Sequence, residues 1–384
     1  MRLFDTRRND YHQFVAPLTV RVYVCGITPY DATHLGHAFT YTAFDALIRY
    51  LEHRGHTVTY ARNVTDVDDD ILRKAREVGS SVATLAEREV ARLDADLRAL
   101  GLREPDAVPW ATDAVPAIIH AVDGLLRRGS AYALPDGRVY FDTRAAGTDF
   151  GALSRLGRDE MLAQFAEKGG DPDAPGKRDA LDFLLWQPSA PDEPGWATPF
   201  APDHPGRPGW HIECSAMAAE ELGPVVDIHG GGHDLVYPHH EAETLQAEHL
   251  TGQGPFARFW LHTGMVGLDG EKMAKSVGNL IFVSDLVERY EPMATRRYLL
   301  THHYRGDWSF DASDLDDSAA AYKRWMEAAG GDGVDEELAD AFDHAMADDL
   351  DTPTALRVLD QMAQRGAGET LRSSAAVLGF PLGR

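Results

Sequence analysis

The chain has 384 residues, room for two or three domains, and its 44% apolar and 9% aromatic content is that of a globular protein with a buried core. No stretch approaches the ~20 apolar residues of a membrane-spanning helix, the charged start MRLFDTRRNDYHQF lacks a secretory apolar region, and two cysteines cannot build a disulfide framework, so a cytoplasmic protein with no membrane partner is expected. The 37 basic and 61 acidic residues leave a net charge of −24, which opposes non-specific attraction to nucleic acid without excluding a local basic patch.

Val20–Val24 (VRVYV) is rich in β-branched residues and predicts a buried strand close to the N-terminus. A loop over 25–33 follows, with Gly26 and Pro29 as breakers. Phe39, Ala43, Phe44, Leu47, Ile48 and Leu51 then repeat at helical spacing and stop before Gly55. Thr57–Tyr60 reads as the next strand, so the first sixty residues predict a β–α–β unit with ligands at the carboxyl ends of a parallel sheet. Leu and Ala spacing over 70–120 predicts amphipathic helices, whereas 168–208, dense in Gly, Pro and Asp, predicts long inserted loops. Strands are predicted at Val225–Ile228 and Phe259–His262, and the part after Asp311 is helical with a hinge at GGDGVDEE.

Four stretches carry candidate chemistry. His34-Leu35-Gly36-His37 stands between a strand and a helix, where imidazoles beside exposed N–H groups can hold phosphate oxygens. Taken alone, such a motif is as readily a helix cap or a packing feature. In DGEKMAKSVGN, Lys272 and Lys275 can neutralise a leaving pyrophosphate, or simply be solvated on a surface loop. Cys214 of GWHIEC, with His239, His240, Glu241 and Glu243 of PHHEAE, offers thiolate, imidazole and carboxylate donors suited to zinc, and Cys25 would complete a set. Pro238 suits a first helical position, which would bring His239 and Glu243 to one side at i and i+4. Two buried free thiols and a capping histidine pair would leave the same residues. Gly230, Gly231 and Gly232, after a strand, leave backbone bare for a ribose or phosphate, or make a tight turn.

Taken in order, the HxGH signature, a GWHIEC strand (209–214), HGGGxDLxxPHHExE and a KMxKS loop resemble class I cysteinyl-tRNA synthetases and their paralogues, the ligases that join cysteine to an amino sugar in mycothiol synthesis. RNVTDVDD, GKRDALDFLLW and DDLDTPTAL extend the resemblance over almost the whole chain. It implies an α/β fold: a class I aminoacyl-tRNA synthetase Rossmann-like parallel sheet with an inserted connective region and a C-terminal helical bundle. The catalytic domain would occupy 1–78 and 209–285, split by an insertion of helices and loops at 79–208, with a linker at 286–310 and a helical domain at 311–384. The resemblance further implies one Zn²⁺ per chain at Cys25, Cys214, His239 and Glu243, and catalytic His34, His37, Lys272 and Lys275. ATP, with Mg²⁺, would be held at Gly36, Gly230, Gly231, Gly232, Asp234 and Ser276, and L-cysteine at Thr65 and Trp210. Ala274 departs from the family's usual serine, while both lysines and Ser276 remain.

The expected activity is therefore adenylation of cysteine by a monomer, followed by transfer to an acceptor. The end of the chain after one helical bundle, the TPYDATHLGHA signature and the acidic charge point to an amino-sugar inositol. Glu243, the short lead before the first strand, and basic groups at Arg296, Arg297, His302, His303 and Arg305 point to the acceptor stem of tRNA(Cys), the acceptor expected here. An HxGH nucleotidyltransferase or an inactive zinc- or nucleotide-binding paralogue are the more distant alternatives.

Overall fold

A computed structural model describes residues 1–30, 34–268, 270–273 and 278–383, with the backbone alone at 146, 148, 149, 271 and 272. Before the predicted first strand, β1 (Arg2–Asp5) and β2 (Asp10–Gln13) form an antiparallel hairpin, so VRVYV belongs to the third strand. That strand, β3 (Thr19–Ile27), carries Cys25 and Gly26 within it rather than in a loop. Helix α1 (Leu35–His53) and β4 (Thr57–Val64) complete the expected β–α–β unit. β9 (Val226–Gly232) and β10 (Ala257–Thr263) join it, after elements described next, in a four-stranded parallel sheet of order β10-β9-β3-β4. Both faces of such a sheet are covered, which explains why Val20, Val22, Tyr23, Val24, Val226 and Ile228 are all fully buried.

Helices α2 (Asp69–Val78), α3 (Val82–Ala99) and α4 (Val115–Arg127) follow β4 as predicted. The segment up to α6 is not only helices and loops: β5 (Ala131–Ala133), β6 (Val139–Phe141), β7 (Leu184–Pro188) and β8 (Gly206–Pro208) make an antiparallel sheet, with α5 (Arg158–Glu167) between its second and third strands. These strands are three to five residues long, too short for alternation to stand out among Gly, Pro and Asp.

GWHIEC is not a strand either. It opens α6 (Trp210–Leu222), with Gly209 extended at its N-cap, and Ala, Met and Glu continue the helix. The three glycines are likewise inside β9 rather than after a strand. A Cβ on Gly230 would lie 2.2 Å from the Phe44 ring and 2.3 Å from the Leu261 carbonyl, so glycine lets this strand sit close to α1 and β10. Pro238 does not open α7 (Glu241–Thr251); a π-type turn over Val236–His240, with Tyr237 extended, leads into it.

β11 (Val266–Leu268) pairs with β12 (Glu271–Lys272) and, in parallel, with β13 (Trp308–Phe310), after α8 (Val283–Val287) and α9 (Pro292–Leu300). α10 (Ala312–Ala328), α11 (Glu336–Ala347), α12 (Thr352–Gln364) and α13 (Gly368–Val377) form the predicted helical part. Leu47, Tyr50 and Leu51 of α1 share one apolar core with Trp325, Leu356 and Phe380 from that part. Among the described residues no helix is long and apolar enough to cross a membrane.

Candidate active site

The carboxyl ends of the parallel strands converge on a buried polar centre, as expected for such a sheet. Cys25 comes from β3, Cys214 from the second turn of α6, and His239 and Glu243 from the turn and helix after β9. One ligand atom from each of the four lies within 4.8 Å of the others, and all four residues are buried. Cys25 Sγ is 3.5 Å from Glu243 Oε1 and 3.9 Å from Cys214 Sγ, while His239 Nε2 is 3.0 Å from the same Glu243 oxygen. The π-type turn therefore keeps the His239–Glu243 pairing that Pro238 was expected to create by opening a helix.

The electrostatics fit a cation. Burial pushes the Cys25 thiol and the Glu243 carboxyl up, because charge without a partner is costly in a dry interior. Burial acts on Cys214 too, but the Cys25 sulfur and the His239 imidazole outweigh it and bring this thiol to about 7. Two thiols, an imidazole and a carboxylate converging with no lysine or arginine among them form a donor set suited to Zn²⁺.

Around these four stands a histidine layer, of which the sequence suggested only His240 as a donor. His211 Nδ1 lies 3.0 Å from His239 Nδ1, which leaves His239 Nε2 facing Glu243; outer partners of this kind orient ligating imidazoles. His229 Nε2 is 3.1 Å from Glu243 Oε2, and His240 Nε2 is 3.2 Å from Cys25 Sγ, so Cys25, His229, His240 and Glu243 form a second overlapping donor set. Burial keeps His211, His229 and His240 well below the usual imidazole range. His240 continues through His262, at 2.7 Å, to Thr6 of the hairpin, at 2.8 Å. Each of these histidines lies within or beside a quoted motif, yet nothing in their spacing distinguishes an orienting residue from a ligand.

The other predicted residues surround this centre. Trp210 stacks on His239 with ring centroids 4.4 Å apart. Thr65 is buried at the end of β4 and accepts from Asn63 Nδ2 at 3.2 Å. His34 caps α1, its Nδ1 accepting from the Gly36 N–H at 3.1 Å, and its ring lies 3.9 Å from that of His37. A Cβ on Gly36 would meet the His34 ring at 2.9 Å, so glycine permits this cap. Gly230, Gly231 and Gly232 end β9, and Asp234 lines a cleft of about 520 Å³ together with Thr6, Lys168, His233 and His262. Lys272 belongs to β12, while Lys275 and Ser276 lie outside the described residues.

The basic groups assigned to an acceptor stem are differently placed. Arg296 is fully buried, donating to Asp45 and to the Leu100 and Leu378 carbonyls. Arg297 pairs with Asp360 at 2.8 Å and Arg305 with Asp349 at 2.7 Å. His302 stacks on Trp308, and His303 faces Asp349 at 3.6 Å. These side chains hold helices together instead of forming a free basic patch.

The fold is that of class I synthetases: Mycobacterium tuberculosis methionyl-tRNA synthetase in complex with methionyl-adenylate superimposes with a TM-score of 0.67 over 94% of this chain and 89% of that one, at 16% identity. The family described as tRNA synthetases class I (C) catalytic domain matches residues 12–320, and the chain belongs to it. It is thus an ATP-dependent ligase. Among its relatives are two proteins named L-cysteine:1D-myo-inositol 2-amino-2-deoxy-alpha-D-glucopyranoside ligase. That of Thermomonospora curvata is 47% identical over 376 residues, spanning 96% of this chain and 89% of the relative. That of Acidothermus cellulolyticus is 48% identical over 366 residues, spanning 94% and 88%.

Proposed function

We propose that this protein activates L-cysteine with ATP, releasing pyrophosphate, and passes the cysteinyl group from the adenylate to the amine of an amino-sugar inositol. The product would be an amide, with AMP as the leaving group. The observation that carries this reading is near-half identity, across more than nine-tenths of the chain, to relatives named as such ligases. The acceptor expected from sequence, tRNA(Cys), gives way to its alternative. The internal pairing of Arg296, Arg297 and Arg305 supports the change, since it removes the basic patch on which a tRNA stem was to rest.

In this reading His34 and His37, at the positive end of α1, hold the ATP phosphates, and Lys272 and Lys275 neutralise the departing pyrophosphate, whose Mg²⁺ arrives with ATP. Gly36 and Ser276 admit and bind phosphate, while Gly230, Gly231, Gly232 and Asp234 receive the ribose. Thr65 and Trp210 line the cysteine pocket. Cys25, Cys214, His239 and Glu243 would hold Zn²⁺, whose affinity for sulfur would favour a thiol over a hydroxyl. The surrounding histidines orient the donors and exclude water.

Cysteine-dependent ATP–pyrophosphate exchange tests the first half-reaction. Radiolabelled cysteine offered in parallel to glucosaminyl-inositol and to tRNA tests the second. Label in the small-molecule amide is expected; label confined to tRNA would overturn the acceptor while leaving the activation step in place.

A further inference from the structure

One buried acidic side chain beside the cysteine pocket has no role in the chemistry above. Glu213 precedes Cys214 on α6, is fully inaccessible to solvent, and finds no hydrogen-bond partner for either carboxylate oxygen among the described residues. Its neighbours do not balance it. The charged groups acting on it are Asp68, Cys214 and Asp66, all of its own sign.

The two aspartates are already committed. Asp68 Oδ1 accepts from the N–H groups of Asp70 and Ile71 at the start of α2, and Asp66 accepts from the Thr112 N–H at 2.9 Å and from its hydroxyl. Thr65, whose hydroxyl lies beside Glu213, accepts from Asn63 Nδ2 and keeps its own proton to offer, but it carries no charge. Among the described residues no cation pairs with Glu213. Burial pushes the Glu213 carboxyl up, because charge without a partner is costly in a dry interior, and a cation arriving with a ligand would supply the missing partner.

The position selects the cation. α6 packs on β3 and β4, so Glu213 stands between the Cys214 end of the donor set and Thr65. A cysteine whose sulfur is directed to that donor set carries a primary ammonium two carbons away, at this depth of the pocket. We infer that Glu213 receives the α-ammonium of the substrate cysteine, so that this pocket selects both ends of the amino acid: sulfur by the donor set, nitrogen by a buried carboxylate. The inference rests on the reading that cysteine is activated here.

The test compares cysteine with 3-mercaptopropionate, which keeps the thiol and carboxylate and lacks the amine. In ATP–pyrophosphate exchange, the KM for cysteine should lie below the inhibition constant of 3-mercaptopropionate by about tenfold to a hundredfold, the range of a charge-assisted hydrogen bond. Glu213→Gln, nearly isosteric, should raise the cysteine KM by about the same factor, with a smaller change in kcat, no loss of bound zinc and no weakening of 3-mercaptopropionate. Wild-type protein that does not distinguish the two compounds would overturn the inference without any variant. So would a Glu213→Gln protein with wild-type KM, or one that loses zinc and binds both compounds more weakly, which marks a structural role. A rise confined to the KM of the amine acceptor would also overturn it, by moving Glu213 to the second substrate. Absence of cysteine-dependent exchange in the wild type would instead remove the activation reading itself.

Discussion

At the residue scale, Cys214 concentrates the chemistry of the centre. Its thiol, held near neutrality against the effect of burial by Cys25 and His239, is the donor most readily deprotonated for a metal. Cys214→Ser should reduce zinc from about one equivalent per chain to a fraction of that, measured by metal analysis of protein purified without added metal. The same variant should lose its preference for cysteine over serine in pyrophosphate exchange, because a hydroxyl cannot replace a metal–sulfur bond. Full zinc together with full selectivity in the variant would show that the four donors do not hold the metal. The donor residues were legible as types in the motifs GWHIEC and PHHEAE. Their histidine support was not, because His211, His229, His240 and His262 are assigned only by which ring nitrogen faces which neighbour.

At the element scale, α9 shows how a basic run can mislead. Arg296 projects between α1 and the C-terminal end of α13, where Asp45 and two carbonyls consume its donors. Its guanidinium is fully buried, so Arg296→Met would leave Asp45 with Arg49 and the Arg103 N–H only. Breaking a buried pair from one side costs about 3–5 kcal/mol; urea denaturation should show a loss near the lower end, since Asp45 keeps two partners. Exchange kinetics of the remaining folded protein should be unchanged, and a stable variant with impaired acceptor transfer would restore an acceptor-binding role to this residue. Strand–helix–strand order was legible where elements were long, as in β3, α1 and β4. It failed where local pattern and tertiary use diverge: GWHIEC, apolar enough for a strand, is a helix that Gly209 caps, and Gly230 continues β9 because only hydrogen fits there against Phe44.

At the scale of the whole molecule, stability should fall in mild acid. His302, stacked flat on Trp308 with ring centroids 3.8 Å apart, is pulled by burial from the usual 6.5 down to about 4. The unfolded chain takes up this proton below pH 6.5 while the folded chain resists it until about pH 4, so stability is complete above that window and declines as pH drops through it. Thermal melts between pH 7.5 and 5, read as a slope with about 0.5-unit spacing, should show a shallower decline in His302→Gln than in the wild type. An unchanged slope would place the proton uptake elsewhere, in the buried histidines of the metal centre.

The sequence by itself determined the family, the order of the strands around α1 and the two nucleotide signatures, because these are carried by residue type within short motifs, and through the family resemblance it named four candidate zinc donors. Tertiary structure decided what spacing does not encode. Packing of α6 on β3 brought Cys25 to within 3.9 Å of Cys214 across 189 positions, and hairpin β1–β2 was folded back so that Thr6 closes the histidine chain. The fate of each charge was decided there as well. Whether an arginine meets solvent or an aspartate, and whether a glutamate finds a donor or is left waiting for a ligand, depends on which distant side chain arrives beside it, and burial then makes the outcome cost or contribute several kcal/mol.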